Sequence, residues 1–505
     1  MIRIWRDENM IYFKDAIKKP RSFPVGSIIM ETPDGYQLGF VNVNQESKYV
    51  IGTYPWDSIL NESGLSDVDY EATVKRLNNL LDDPNFTFTN GSLNVNAAVT
   101  SPLDLDGRLQ ISSQSTLIEY SHIYDKIPDL KTEVGTGTSV HVSNELGSGV
   151  TGVKMQVTAG QYMIREGNMA LHYNKGKTQR FECTTQDFQL EEGFIKRIGY
   201  FSSSIVAPYD TLYDGMWFES NGEDMEYYLV LSRLGVEVLR QPRSAWIDKL
   251  DGTGPSGLTI DFSSFMILDG LFVWLGGKGA AYRIAVNNQL IKVFDYAHAG
   301  TVKGLIMNSP NQPIRYEIRG LAGAVGVGTL YDICAQCSTQ GALDSTGLPR
   351  AVDLDGDNIR ANGISVFYAI CGVRISQARR NQIANIISFS ASAITNDAFR
   401  IVLLKNPTVA GVVNWTPYSP YSAIEVFYGD IVGNPSTNAV TFTDDQKIQS
   451  FSASSQSGQA ILSLEDVLFQ LTRGADGTSD IYILAASPAT INMRITGGIN
   501  LIERI

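Results

Sequence analysis

Residues 282–296 read YRIAVNNQLIKVFDY, two alternating arms around Asn287 and Asn288. Side chains on a strand point to opposite faces in turn, so each arm buries one face against a core. Asn tolerates the positive φ that a two-residue hairpin turn needs at its central positions. The same constraint recurs. YYLVLSRLGVEVLR (Tyr227–Arg240) reads as a hairpin turning within Ser232–Gly235, and IRYEIRG (Ile314–Gly320) alternates strictly. FRIVLL (Phe399–Leu404) and DIYILAAS (Asp480–Ser487) read as buried strands, and INMRITGGINLIERI as a closing hairpin that turns at Gly497-Gly498. Strands at this density, with almost no helical periodicity, predict a mainly β chain of antiparallel sandwich or jelly-roll modules.

Helical signals are few. Ser66 and Asp69 open a capped stretch whose apolar residues Tyr70, Val74, Leu77 and Leu81 run to Pro84. It reads as one amphipathic helix or as a short self-associating seam. A second helix is expected from Ser463 through Asp466 to Gly474, and ISQARRNQIANII (Ile375–Ile387) stays open between helix and strand. Near the N-terminus FPVGSIIMETPDGYQLGFVNV predicts a hairpin bent at Pro33, Asp34 and Gly35. NGSLNV (from Asn90) and DGRLQI (from Asp106) share an Asn/Asp-Gly turn followed by alternation, as in short strands between tight turns. A chain of 505 residues exceeds one core. The boundaries expected are a small α+β attachment domain at 1–89, a short-strand connector at 90–164, a jelly-roll-like sandwich at 165–345 and a C-terminal sandwich at 346–505.

Composition narrows the class. Hydrophobic residues are 43% of the chain, enough for real cores, while charged residues are only 18%. The net charge of −13 repels phosphate, which argues against general nucleic-acid binding. Four cysteines are too few for a disulfide scaffold of this size. The first twenty residues are charged throughout and lack the apolar segment of a signal peptide. The longest apolar stretch, Phe262–Tyr282, carries Asp269 and Lys278, so no membrane insertion is expected. The chain reads as made in a reducing cytoplasm.

Motifs for phosphate and metal fail on context. GSGVTG (Gly147–Gly152) matches a dinucleotide fingerprint, but VKMQVTAG follows as a strand where a helix is required. GGKGAA and GKT lack the P-loop's first glycine, since positions 272 and 171 are Phe and Leu. Cys334 and Cys337 have metal spacing without a second ligand pair, and read as free thiols. Asp353, Asp355 and Asp357 occupy the first, third and fifth places of a calcium loop, but Asn358 and Ile364 stand where Gly and Glu belong. Three carboxylates on one loop offer a Ca²⁺ ligand set, against the competing reading of a solvated turn. No GxSxG or HExxH motif is present. No cofactor and no catalytic residue is assigned.

Aromatic loops are the remaining signal. Asn414–Tyr421 (NWTPYSPY) sets Trp415, Tyr418 and Tyr421 on a proline-stiffened loop, and YDTLYDGMWF (Tyr209–Phe218) is similar. Such residues either stack on sugar rings or fold onto the end of a sandwich.

One composite pattern carries a resemblance. It joins MWFESNGEDMEYYLVLSRLGVEVLRQPRSAWIDKLDGTGPSGLTIDF, FVWLGGKGAAYRIAVNNQLIKVFDYAHA and IMNSPNQPIRYEIRG, followed by NDAFRIVLLKNPTVAG and DIYILAASPAT. From about residue 165 onward the chain resembles a module recurring in virion proteins of tailed bacteriophages, especially those of Bacteroidetes-type hosts. The resemblance implies a non-enzymatic fibre, spike or decoration protein on a virion, homotrimeric, docked to capsid or tail proteins through its N-terminal part. A carbohydrate-binding adhesin on the same scaffold is the alternative, with a host surface glycan as partner, and a glycan depolymerase the third reading. On this view the glycine-rich WIDKLDGTGPSGLTIDF loop is a turn, and phosphate has no part in it.

Overall fold

The structure is a computed structural model. It describes residues 114–144, 149–274, 279–298, 304–341, 347–379, 381–395, 397–431, 435–453 and 469–504, together with the backbone of the strands before residue 96 and of Gln459–Ser463. The chain divides into two compact units, Met1–Pro102 and Leu103–Ile505.

The described part of the first unit is three hairpins. Arg3–Asp7 pairs with Met10–Lys14, Ser27–Thr32 with Gly35–Phe40, and Phe86–Thr89 with Ser92–Val95. These pairings agree with the expected hairpin of residues 27–40 and with a strand after Asn90-Gly91; residues 33, 34, 90 and 91 themselves lie outside the described residues. The helix expected over 66–84 and the DGRLQI strand lie outside the described residues.

The second unit holds two sandwiches, with every strand pairing antiparallel. In the first, a seven-stranded sheet runs in the order Val236–Pro242, Glu226–Arg233, Leu212–Asn221, Phe194–Ser203, Ile314–Gly320, Tyr162–Gly167, Lys131–Gly135. It faces a six-stranded sheet ordered Gln289–Ala297, Gly279–Val286, Met266–Val273, Gln179–Thr185, Cys334–Gln340, Gln114–Ser121. The core between them is aromatic. Tyr200, Tyr282 and Tyr316 are fully buried. Each hydroxyl reaches a backbone carbonyl, Tyr282 that of Val230 at 2.6 Å and Tyr316 that of Cys334 at 3.0 Å, which removes the cost of burying the polar tip. A three-stranded sheet of Gly328–Asp332, Thr151–Val157 and Thr138–Ser143 adjoins this sandwich.

The second sandwich opposes a five-stranded sheet built around Met493–Arg504 and Ile383–Ala393 to an eight-stranded sheet built around Phe367–Ile375, Tyr482–Pro488 and Phe399–Lys405. Ile370, Val373, Leu403, Leu484, Ile495 and Leu501 fill its core. Among the described residues, helix is confined to three single 3₁₀ turns, Arg243–Ala245, Gln377–Arg379 and Asp444–Gln446.

The expected hairpins form. Asn287 and Asn288 take φ of 49° and 62° between Gly279–Val286 and Gln289–Ala297. Leu234 and Gly235 make the other turn. The glycine-rich loop closes on itself: Asp248, buried, accepts from Leu250 N–H at 3.0 Å and Ser256 N–H at 2.8 Å, and Gly252 N–H donates to Leu258. These amide groups are committed within the loop, as a turn requires.

Three expectations are corrected. Residues 114–164 are not a connector: their strands enter the first sandwich and its adjoining sheet, with Tyr120, Met155, Val157 and Met163 in the common core. Gly497-Gly498 is no turn but lies inside the twelve-residue strand Met493–Arg504. There a Cβ on Gly497 would sit 2.6 Å from the Ser390 carbonyl, and one on Gly498 would sit 2.7 Å from Asp353 Cβ, so close strand approach explains the pair. The helix expected from Ser463 to Gly474 falls partly outside the described residues. Ser463 itself ends a strand, and Gln470 and Arg473 make isolated β-bridges with Asn385 and Ser479.

Candidate functional site

A cleft of about 650 Å³ opens where the two sandwiches meet. The first sandwich contributes the loop 204–206, Tyr213, Asp214, Leu234 and residues 308–311; the second contributes 377–379, Asn381, Gln382 and Arg504. The described lining mixes apolar side chains (Ile205, Val206, Leu234, Pro310 and Ala378) with neutral amide and hydroxyl groups, one carboxylate, two guanidinium groups and one phenol.

Buried anchors place each wall. Tyr200 Oη lies 2.8 Å from the Pro310 carbonyl and accepts from Gln312 N–H at 3.0 Å. Trp274 Nε1 donates to the Met307 carbonyl at 2.7 Å, and Asn311 Oδ1 accepts from Tyr173 N–H at 2.9 Å. Asp214 is 3% exposed and joins two loops, its Oδ1 accepting from Asn308 N–H at 2.6 Å and Leu234 N–H at 3.2 Å. The opposite wall is the 3₁₀ turn Gln377–Arg379 and its continuation, where Gln382 N–H donates to the Arg379 carbonyl at 3.0 Å. Asn311 Nδ2 crosses between the sandwiches to the Asn381 carbonyl at 3.3 Å. Gln382 Oε1 is buried and accepts no hydrogen bond from the described residues. A buried acceptor of this kind asks for a donor.

The aromatic trio does not converge. Trp415 is half-buried against Phe427, with Arg374 4.6 Å from its ring centroid. Tyr418 is half-buried against the main core of the same sandwich, under Arg350 at 5.3 Å. Tyr421 is 84% exposed. The loop carrying it is tied to the cleft wall, because Arg379 Nη2 donates to the Pro420 carbonyl at 3.2 Å. Glu503, buried at the end of Met493–Arg504, holds the other side of that loop: it accepts from Ser422 Oγ, Ala423 N–H and Arg350 Nε.

The acidic loop makes an Asx turn, Asp353 Oδ1 accepting from Asp355 N–H at 2.8 Å. Among the described residues no group of three or more His, Cys, Asp or Glu side chains is placed to hold a metal ion, so Asp353, Asp355 and Asp357 form no such cluster. Cys334 and Cys337 sit three apart on one strand, half-buried and buried respectively, and all four cysteines are free thiols.

Outside the cleft, several buried carboxylates of the first sandwich are held in ion pairs, among them Glu219, Asp269, Glu317 and Asp332. Arg197 bridges Glu219 and Glu317, each at 2.8 Å. Burial alone would raise both carboxyl groups, but the surrounding guanidinium groups more than offset it and leave both below the ordinary range. On the opposite sheet burial raises Glu182, whose oxygens accept from Arg180 and Gln336.

Reasoning from the sequence marked the Tyr209–Phe218 segment, which supplies Tyr213 and Asp214, and it flagged NSPNQP and ISQARRNQ without assigning them a role. It missed Asn308, Asn311, Arg379, Gln382 and Arg504 as a group. Their clustering of amides was the available signal.

No protein-family model matches the chain, and no curated protein matches it. Among solved structures, it is similar to the carbohydrate recognition domain of Emp47p at 9% identity, over 45% of this chain and 97% of that one, with a TM-score of 0.29. It is similar to the exoplasmic/lumenal domain of VIP36 in a Ca²⁺/Man3GlcNAc-bound form at 10% identity, over 46% and 92%, with a TM-score of 0.29. It is also similar to a Bacillus licheniformis β-glucanase at 12% identity, over 46% and 100%, with a TM-score of 0.26. Likenesses this shallow say nothing about ligand or reaction.

Proposed function

We propose that this protein binds a glycan in the cleft between its two sandwiches, as the receptor-recognition component of a phage-type virion. The cleft carries the reading. Planar amides, a phenol and guanidinium groups converge on a concave space of about 650 Å³, and Gln382 Oε1 stands as a buried acceptor without a donor among the described residues. Sugar hydroxyls are paired donors and acceptors that such groups satisfy. Tyr421, exposed beside the wall, supplies a ring for stacking.

Binding is favoured over hydrolysis. Cleavage of a glycosidic bond uses two carboxyl groups flanking it, one held protonated. The described lining holds one carboxylate, Asp214, already committed to two backbone N–H groups. The virion setting and the homotrimer rest on the sequence resemblance. Light scattering on the full chain tests the oligomer, which is expected at about three times 55.4 kDa.

A glycan array tests the binding reading. The full chain is expected to bind a restricted set of glycans, and Asn311→Ala with Gln382→Ala to weaken them together. Retention of full affinity by the double variant would remove the cleft from the account. Release of reducing sugar from a bound glycan would replace binding with catalysis.

A further inference from the structure

We propose that the glycan this cleft selects is acidic, with a sugar carboxylate recognised by Arg379. The inference rests on the glycan-binding reading and adds the ligand's charge class.

Arg379 differs from most arginines of the sandwich faces. Arg197, Arg315 and Arg374 each have carboxylate partners. Arg379 lines the cleft, is partly exposed, and among the described residues makes no ion pair. Its one side-chain contact there runs from Nη2 to the neutral Pro420 carbonyl, which fixes the guanidinium without neutralising it. Arg504 adds a second cation to the lining. The only carboxylate in the described lining, Asp214, is 3% exposed and turned into backbone N–H groups of its own sandwich, at 2.6 and 3.2 Å. Those peptide dipoles offset its charge locally. The cleft is therefore a cationic spot on a chain whose net charge is −13. A guanidinium is a planar fork of donors that matches a carboxylate in two parallel hydrogen bonds. The amides of Gln377, Asn311 and Gln382 around it suit the ring hydroxyls.

The test is a panel of neutral, carboxylated and sulfated glycans presented to the full chain, followed by titration of the best binder and of the same glycan after carboxyl reduction. Arg379→Gln keeps the shape and removes the charge. The expected result is preference for carboxylated glycans, a loss of at least about tenfold on carboxyl reduction, and a similar loss in R379Q with unchanged thermal stability. Raising salt should weaken the wild type more than R379Q. Equal binding of neutral and carboxylated glycans, preference for sulfated ones alone, or an unaffected R379Q overturns the inference while leaving glycan binding intact. Absence of binding to every member of the panel overturns both.

Discussion

Gln470 Nε2 donates to the backbone carbonyl of Ala170 at 2.8 Å, joining residues 300 positions apart and fastening one sandwich to the other. Beside it Arg473 N–H donates to the Asn168 carbonyl at 3.0 Å, and Leu471 N–H to that of Ala384 at 2.8 Å. The segment 470–473 thus reaches both sandwiches at once. The cleft lies at the same junction, where Arg473 Nη2 donates to Oδ1 of the lining residue Asn381 at 3.1 Å.

Gln470→Ala should therefore cost more than a surface substitution. It leaves the buried Ala170 carbonyl without its partner, at about 1–3 kcal/mol. Chemical denaturation measures the loss, and limited proteolysis should find new cleavage near the junction. A variant as stable and as protease-resistant as the wild type would show that the strap carries little.

Acid stability should report the charge lattice on the seven-stranded sheet. Glu219 and Glu317 are held below the ordinary carboxylate range in the folded state, whereas the unfolded value is about 4.3. Their stabilising contribution is complete above that unfolded value and is lost as pH falls towards the depressed folded values. Stability should be flat near neutrality and fall steeply below about pH 4. Glu317→Gln takes from Arg319 its ion-pair partner among the described residues and leaves Arg197 and Arg315 with one carboxylate each, Glu219 and Glu166; it should cost about 3–5 kcal/mol at neutral pH, with a shallower acid limb in a pH series of denaturation curves.

Thiol reactivity separates buried from half-buried cysteines. Burial pushes the Cys337 thiol up to about 12 and raises those of Cys183 and Cys371 as well. All three are fully buried, whereas Cys334 is half-buried. A disulfide reagent at pH 8 should modify at most one thiol quickly in the folded chain, and four after denaturation. Rapid modification of three or more in the native state would contradict this packing.

The aromatic loop should divide by role. Tyr421→Ala, at an exposed position, should leave stability within about 0.5 kcal/mol and weaken glycan binding. Tyr418→Ala removes a ring packed on the core and under Arg350, and should cost about 1–3 kcal/mol in denaturation. Reversal of these two effects would move the binding surface to Tyr418.

What the sequence disclosed was local. Asn287-Asn288 announced its hairpin because a turn with positive φ at two positions leaves few residue choices. Gly497-Gly498 misled for the same reason: glycine marks both turns and close strand contacts, and only the neighbours Ser390 and Asp353 decide which. Trp415 and Tyr418 drew attention as loop aromatics, but whether a ring meets solvent or a sheet is set by strands far away in sequence. The cleft was hidden because its walls come from residues 204–206, 213–214, 234, 308–311, 377–379, 381–382 and 504. Amides and arginines have no periodicity, and only the docking of the two sandwiches assembles them.

Hydrogen–deuterium exchange with and without a glycan selected from the panel tests the central claim most directly. Binding in the cleft predicts slowed exchange in peptides spanning 204–214, 308–312 and 376–383 together, with smaller changes at 418–423. Slowed exchange confined to other faces of either sandwich, with those three segments unchanged, would contradict it.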